Sequence, residues 1–111
     1  MNTQELKQAI DRAEESADEA KRAVQAGSVP DELRQAVDAL HQQARQAKQS
    51  GASDENTLRQ AVLQLEQSAD RAKQACKNAG SQVDPQVQQA VQRAHDALSS
   101  LKKQIQADSP A

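Results

Sequence analysis

The sequence predicts an all-α protein, an antiparallel four-helix bundle of up-down-up-down topology, on three observations. Apolar residues recur in an alternation of four and three through four long stretches, the period of one face of an α-helix. The only three glycines, Gly27, Gly51 and Gly80, fall between those stretches, where a helix needs a stop. Phe, Tyr and Trp are absent, while Ala, Gln, Leu, Lys, Arg and Glu make up 69 of the 111 residues, a composition of strong helix formers.

The first helix is expected over about 3–26. Asn2 and Glu5 have the spacing of a capping box, and Leu6, Ile10, Ala13, Ala17, Ala20 and Val24 form the stripe. The second runs over about 30–50 with Leu33, Val37, Leu40, Ala44 and Ala47; Ser28 and Asp31 have capping-box spacing, and Pro30 falls in the first turn, where a missing amide hydrogen costs nothing. The third covers about 54–79 with Leu58, Val62, Leu65, Ala69, Ala72 and Cys76, and Ser53 is followed by Asp54 and Glu55, negative charge that suits the amino-terminal end of the helix dipole. The fourth covers about 84–106 with Val87, Val91, Ala94, Leu98, Leu101 and Ile105, after Ser81 and Asp84 at capping-box spacing and Pro85 in the first turn. Residues 1–107 then form one domain, and Asp108 to Ala111 a frayed tail.

These stripes are the a and d positions of a heptad, and Ala9, Ala23, Ala36, Ala61, Ala75, Ala90 and Ala97 all fall at g. Three apolar positions per heptad describe a helix facing a bundle interior. Loops of about three to five residues make sequential helices antiparallel. In such hairpins Leu6 and Ile10 meet Ala44 and Ala47, while Leu33 and Val37 meet Ala20 and Val24, so large side chains face small ones. The core is thin, because burying an Ala contributes roughly 1 kcal/mol against about 1.5 to 3 for Leu or Val.

Residues 14–23 read EESADEAKRA and residues 66–75 read EQSADRAKQA, an offset of 52; at offsets of 53 to 54, Gly27-Ser28 matches Gly80-Ser81, Gln35-Ala36-Val37 matches Gln89-Ala90-Val91, and His41 matches His95. A duplicated helical hairpin with approximate two-fold symmetry accounts for both. The string LRQAV at 33–37 and 58–62 leaves a fourfold single-helix ancestry open, and shared Ala/Gln bias is the alternative to any duplication.

Composition excludes several functions. A net charge of −2 without a basic stripe, and no aromatics, argue against nucleic acid as a partner. No stretch of 18 apolar residues spans a membrane, and Met1 to Glu5 lacks an export signal's apolar region. The single Cys76 fits a reducing, cytoplasmic location. No phosphate-binding loop or nucleophile elbow is present, and without aromatics the usual wall of a substrate pocket is missing; no enzyme activity and no cofactor are expected. Cys76 reads as a small buried hydrophobe whose repeat counterpart is Val24, although Lys73 and Lys77 would lower its pKa if it were exposed.

Glu14, His41, Glu66 and His95 share the e position, one per helix, which makes them the candidate metal ligands. The pattern departs from a di-iron bundle: Asp38 precedes His41 by three residues, but Gln92 stands in the matching place before His95. The expected reading is therefore two solvated histidines and ion-pairing surface glutamates. Leu63, at an outward-pointing b position, is ordinary surface by itself and a candidate contact residue together with Ala52 or Ala79.

The whole chain, with its Ala/Gln-rich heptads and glycine turns at 27, 51 and 80, resembles small uncharacterised four-helix-bundle proteins of β-proteobacterial genomes. The resemblance implies a bacterial source and transfers no site residue. The function expected is a non-enzymatic one exerted through contact with a protein partner, as an adaptor or small regulatory factor. Reversible association with lipid or another amphipathic surface is the alternative, and metal binding through surface histidines a third. A monomer is favoured over a dimer.

Overall fold

The computed structural model describes residues 2–51 and 54–108 and contains four long helices: α1 (Thr3–Ala26), α2 (Asp31–Gln49), α3 (Glu55–Ala79) and α4 (Pro85–Asp108), with a single 3-10 turn, Gly80–Gln82, between the last two. α1 packs on α2, α2 on α3, α3 on α4 and α4 back on α1, with α1 and α3 also touching across the diagonal. This is the antiparallel four-helix bundle that the heptads predict, and the molecule's long axis of 42 Å matches helices of 19 to 25 residues laid side by side.

The helix ends follow local chemistry, in part differently from the spacing of residues. Asn2 and Glu5 form the full capping box, with Asn2 Oδ1 accepting from the Glu5 amide at 2.8 Å and the Asn2 amide donating to Glu5 Oε1 at 3.1 Å. The Ser28 box does not form: Pro30 stands at the N-cap of α2 with no side-chain cap, and Asp31 and Glu32 supply negative charge to the first turn instead. Ser53 lies outside the described residues; Asp54 caps α3, accepting from the Thr57 amide and hydroxyl at 3.1 and 2.8 Å. Ser81 is held in the 3-10 turn, so the cap of α4 falls to Asp84, which accepts from the Gln86 amide at 2.9 Å. Asp108, expected in the tail, still belongs to α4; residues 109–111 are not among those described. Gly51 and Gly80 have φ of +68° and +58°, the left-handed region in which a side chain is strained.

The core forms two clusters stacked along the bundle. One end joins Leu6, Ile10, Leu40, Leu58, Leu65, Leu98 and Ile105 with alanines 13, 17, 44, 69 and 94. The other joins Val24, Leu33, Val37, Val83, Val87 and Val91 with alanines 20, 72, 75 and 90. The expected meetings of Leu6 and Ile10 with Ala44 and Ala47, and of Leu33 and Val37 with Ala20 and Val24, fall within these clusters. Val83 is buried as well, one residue before the cap of α4, in a segment without helical period.

Positions flanking the core divide the four seams into two kinds. In antiparallel neighbours e faces e and g faces g. The e residues Lys7, Glu14 and Lys21 of α1 meet Arg34, His41 and Lys48 of α2, and the e residues of α3 and α4 are Arg59, Glu66, Lys73, Gln88, His95 and Lys102. The seam within each hairpin is therefore charged. The seams between hairpins, α2 with α3 and α4 with α1, hold the g alanines, all buried or half-buried. There the buried Ser68 hydroxyl of α3 donates to Gln43 Oε1 of α2.

Thr57, through its hydroxyl first and its amide second, holds the Asp54 carboxyl below the usual carboxylate range. A depressed folded pKa makes this cap's contribution present above about pH 4 and lost as pH falls through the folded value. Thermal melts of wild type and Asp54→Ala are expected to differ at pH 7, with the variant melting lower, and the gap should narrow as pH falls below about 4; a gap as large at pH 2.5 as at pH 7 would contradict the charged capping role.

Candidate functional site

Glu14 and Asp18 lie one turn apart on α1, and His41, Arg45 and Lys48 occupy the facing side of α2; with Gln49 they line a surface groove of about 490 Å³. His41 Nε2 is 3.3 Å from Asp18 Oδ1, and Lys48 Nζ is 3.7 Å from Glu14 Oε2. Arg22 Nη2 holds the other Asp18 oxygen at 2.9 Å. The second hairpin repeats the pattern, with His95 Nε2 3.4 Å from Asp70 Oδ1 and Lys102 Nζ 3.6 Å from Glu66 Oε2. Glu14 and Asp18 map onto Glu66 and Asp70 at the offset of 52, and His41 and Lys48 onto His95 and Lys102 at 54. Those are the offsets that relate the hairpins, so the polar contacts repeat with the helices.

The two histidines are not solvated, contrary to expectation. The His41 side chain is 7% exposed and that of His95 12%, beneath carboxylates exposed at 36% and 69%. The cause is the size of the neighbouring core residues. Ala17 and Ala44 in one hairpin, and Ala69 and Ala94 in the other, are almost wholly buried; where core positions are this small the helices approach closely, and an e side chain is drawn into the seam. The second copy differs in detail. His95 Nδ1 is buried without a hydrogen-bond partner, its distance of 3.6 Å from Asp96 Oδ1 being too long for one, and Ser99 replaces the cationic Arg45.

The metal hypothesis needed Glu14, His41, Glu66 and His95 in one place. The structure instead divides them between two seams and sets a lysine against each glutamate. Among the described residues no group of three or more His, Cys, Asp or Glu side chains is placed to hold a metal ion. Leu63 is half-buried rather than outward-pointing, and among the described residues no large hydrophobic side chain is exposed. Position b adjoins e on the helical wheel, so Leu63 leans toward the α3–α4 seam. Cys76 is half-buried against the valine cluster, and burial pushes its thiol up. The thiolate that nucleophilic or redox chemistry requires is therefore disfavoured.

A second feature runs along the seam between the hairpins. Two groove segments of about 390 and 270 Å³ lie between α2 and α3 and share Gln43. Ala36, Ala39 and Ala75 line the first, with Glu32 and Arg71 beside them; Ala47 and Ala61 line the second. Glutamines border both.

If each histidine is held by its carboxylate, a double-mutant cycle on Asp18→Ala and His41→Ala, read by urea denaturation, should give a coupling of about 0.5 kcal/mol or more. The cycle on Asp70 and His95 should give less, since the more exposed Asp70 is better screened. Strict additivity in the first cycle would mean that the close approach carries no energy.

No helix among the described residues is long and apolar enough to cross a membrane. Comparison with known proteins finds no family model that matches the chain, no similar curated protein and no similar solved structure.

Proposed function

We propose that this protein is a non-enzymatic, cytoplasmic bundle that acts through protein contacts, as an adaptor or small regulatory factor, and that it receives a helical segment of its partner along the α2–α3 groove. The observation that carries the reading is the alanine-lined groove bordered by glutamines. Alanines let an incoming backbone come close, and glutamine side chains offer both donors and acceptors to it. The groove lacks the aromatic and arginine-rich anchors of tight interfaces apart from Arg71, so the contact is of the weak, exchangeable kind. The non-enzymatic part rests on the ionisable groups: the histidines, Glu14 and Glu66 are engaged with one another's neighbours across the hairpin seams, and the thiol is disfavoured as a thiolate. Lipid association lacks an anchor in the closed bundle, since no described large hydrophobic is exposed.

Ala39 is exposed on the groove wall, so Ala39→Glu blocks the groove without touching the core. Capture of the tagged wild-type chain from lysate after chemical crosslinking, which traps an exchanging contact, should enrich one partner, and Ala39→Glu, melting as wild type does, should enrich it about tenfold less. Equal enrichment by the two baits, or none by the wild type, would refute the reading.

A further inference from the structure

The three turns of the bundle are not equivalent, and the difference concerns what happens if a turn straightens into helix. From Val24 to Leu33 is nine residues, two and a half helical turns; a helix continued through the first turn would put the stripes of α1 and α2 on opposite faces, and Pro30 stands in its path. Across the last turn the stripes of α3 and α4 are in phase, but Pro85 would fall in the helix interior, where it lacks the amide hydrogen and clashes with the preceding turn. The middle turn has neither obstacle. Ala47 to Leu58 is eleven residues, close to three whole turns, no proline intervenes, and Gly51 and Asp54 fall on the stripe itself at steps of four, three and four.

We propose that the chain also pairs with a second copy of itself by exchanging hairpins, α2 and α3 of each copy joining through residues 50–54 into one continuous helix. The α1–α2 hairpin of one copy then packs on the α3–α4 hairpin of the other with the same alanine seams and the same cores that close the monomer. In-phase stripes are what this arrangement requires, since both cores must lie on one face of the long helix. A fused helix over residues 31–79 is about 73 Å long, against 42 Å for the long axis of the closed chain. Among the described residues, the left-handed turn at Gly51 and the Asp54 cap oppose it. A Cβ at residue 51 would meet nothing within 4 Å, so a side chain there acts through backbone conformation alone.

The test is refolding from denaturant at high protein concentration, followed by light scattering and small-angle scattering. The wild-type chain of 12.0 kDa is expected to yield some dimer of about 24 kDa and roughly doubled length, in a fraction that rises with concentration. Gly51→Ala should raise that fraction at least about fivefold, the factor by which alanine exceeds glycine as a helix former, and Asp54→Ala should act in the same direction if the first variant folds poorly. Glu55→Pro places proline at the first position of α3, after an Asp54 already extended, which the closed bundle accepts and a continuous helix does not; it should abolish the dimer while keeping helical content by circular dichroism. A dimer that persists in Glu55→Pro, or wild-type, Gly51→Ala and Asp54→Ala chains that remain at 12 kDa at every concentration, would overturn the proposal.

Discussion

An alanine side chain ends at Cβ, so two helices that present alanine to each other bring their backbones closer than leucine permits. Most of this bundle depends on that approach. Ala17, Ala20, Ala44, Ala69 and Ala72 are fully buried, yet each contributes only about a third to two-thirds as much as a buried Leu or Val. Among the described residues ten large aliphatic side chains with under 2% exposure add the larger contributions. Close approach also determines what happens beside the core, because His41 and His95 owe their burial to small neighbours rather than to their own hydrophobicity.

The repeated polar pattern extends this logic from packing to charge. Each hairpin carries the same Glu, Asp, His and Lys across its internal seam, whereas the seams joining the hairpins are lined with small residues. A hairpin is thus held by polar contacts along its flank, and the pair of hairpins by shape. Among the described residues no large hydrophobic side chain is exposed, and the surface relief includes shallow grooves along the seams.

Much of the architecture was legible in the residues. The four helices begin and end within about two residues of where glycines, prolines and heptads put them, and the capping box at Asn2 formed as its spacing implied. Caps at Pro30 and Asp84 were less legible, since several residues competed for each role and only backbone conformation decides. Val83 escaped notice because a single valine outside any helical period gives no periodic signal. The histidine contacts were hidden for a different reason: helical period tells which face a residue occupies, but not how near the next helix comes. The signal was present all the same in the repeated EESAD and EQSAD segments, which carry Glu14 and Asp18 onto Glu66 and Asp70 at the spacing that carries the hairpins themselves.

The claim that hairpins meet through small residues at g, while e positions accommodate large ones, is tested most directly by placing leucine on either flank of α3. Ala75, 5% exposed, faces the other hairpin; Lys73, two residues earlier, flanks the seam within its own. In urea denaturation Ala75→Leu should lose about 1–3 kcal/mol through overpacking, and Lys73→Leu should stay within about 0.5 kcal/mol of wild type or gain. Equal losses, or a larger loss at Lys73, would contradict the account.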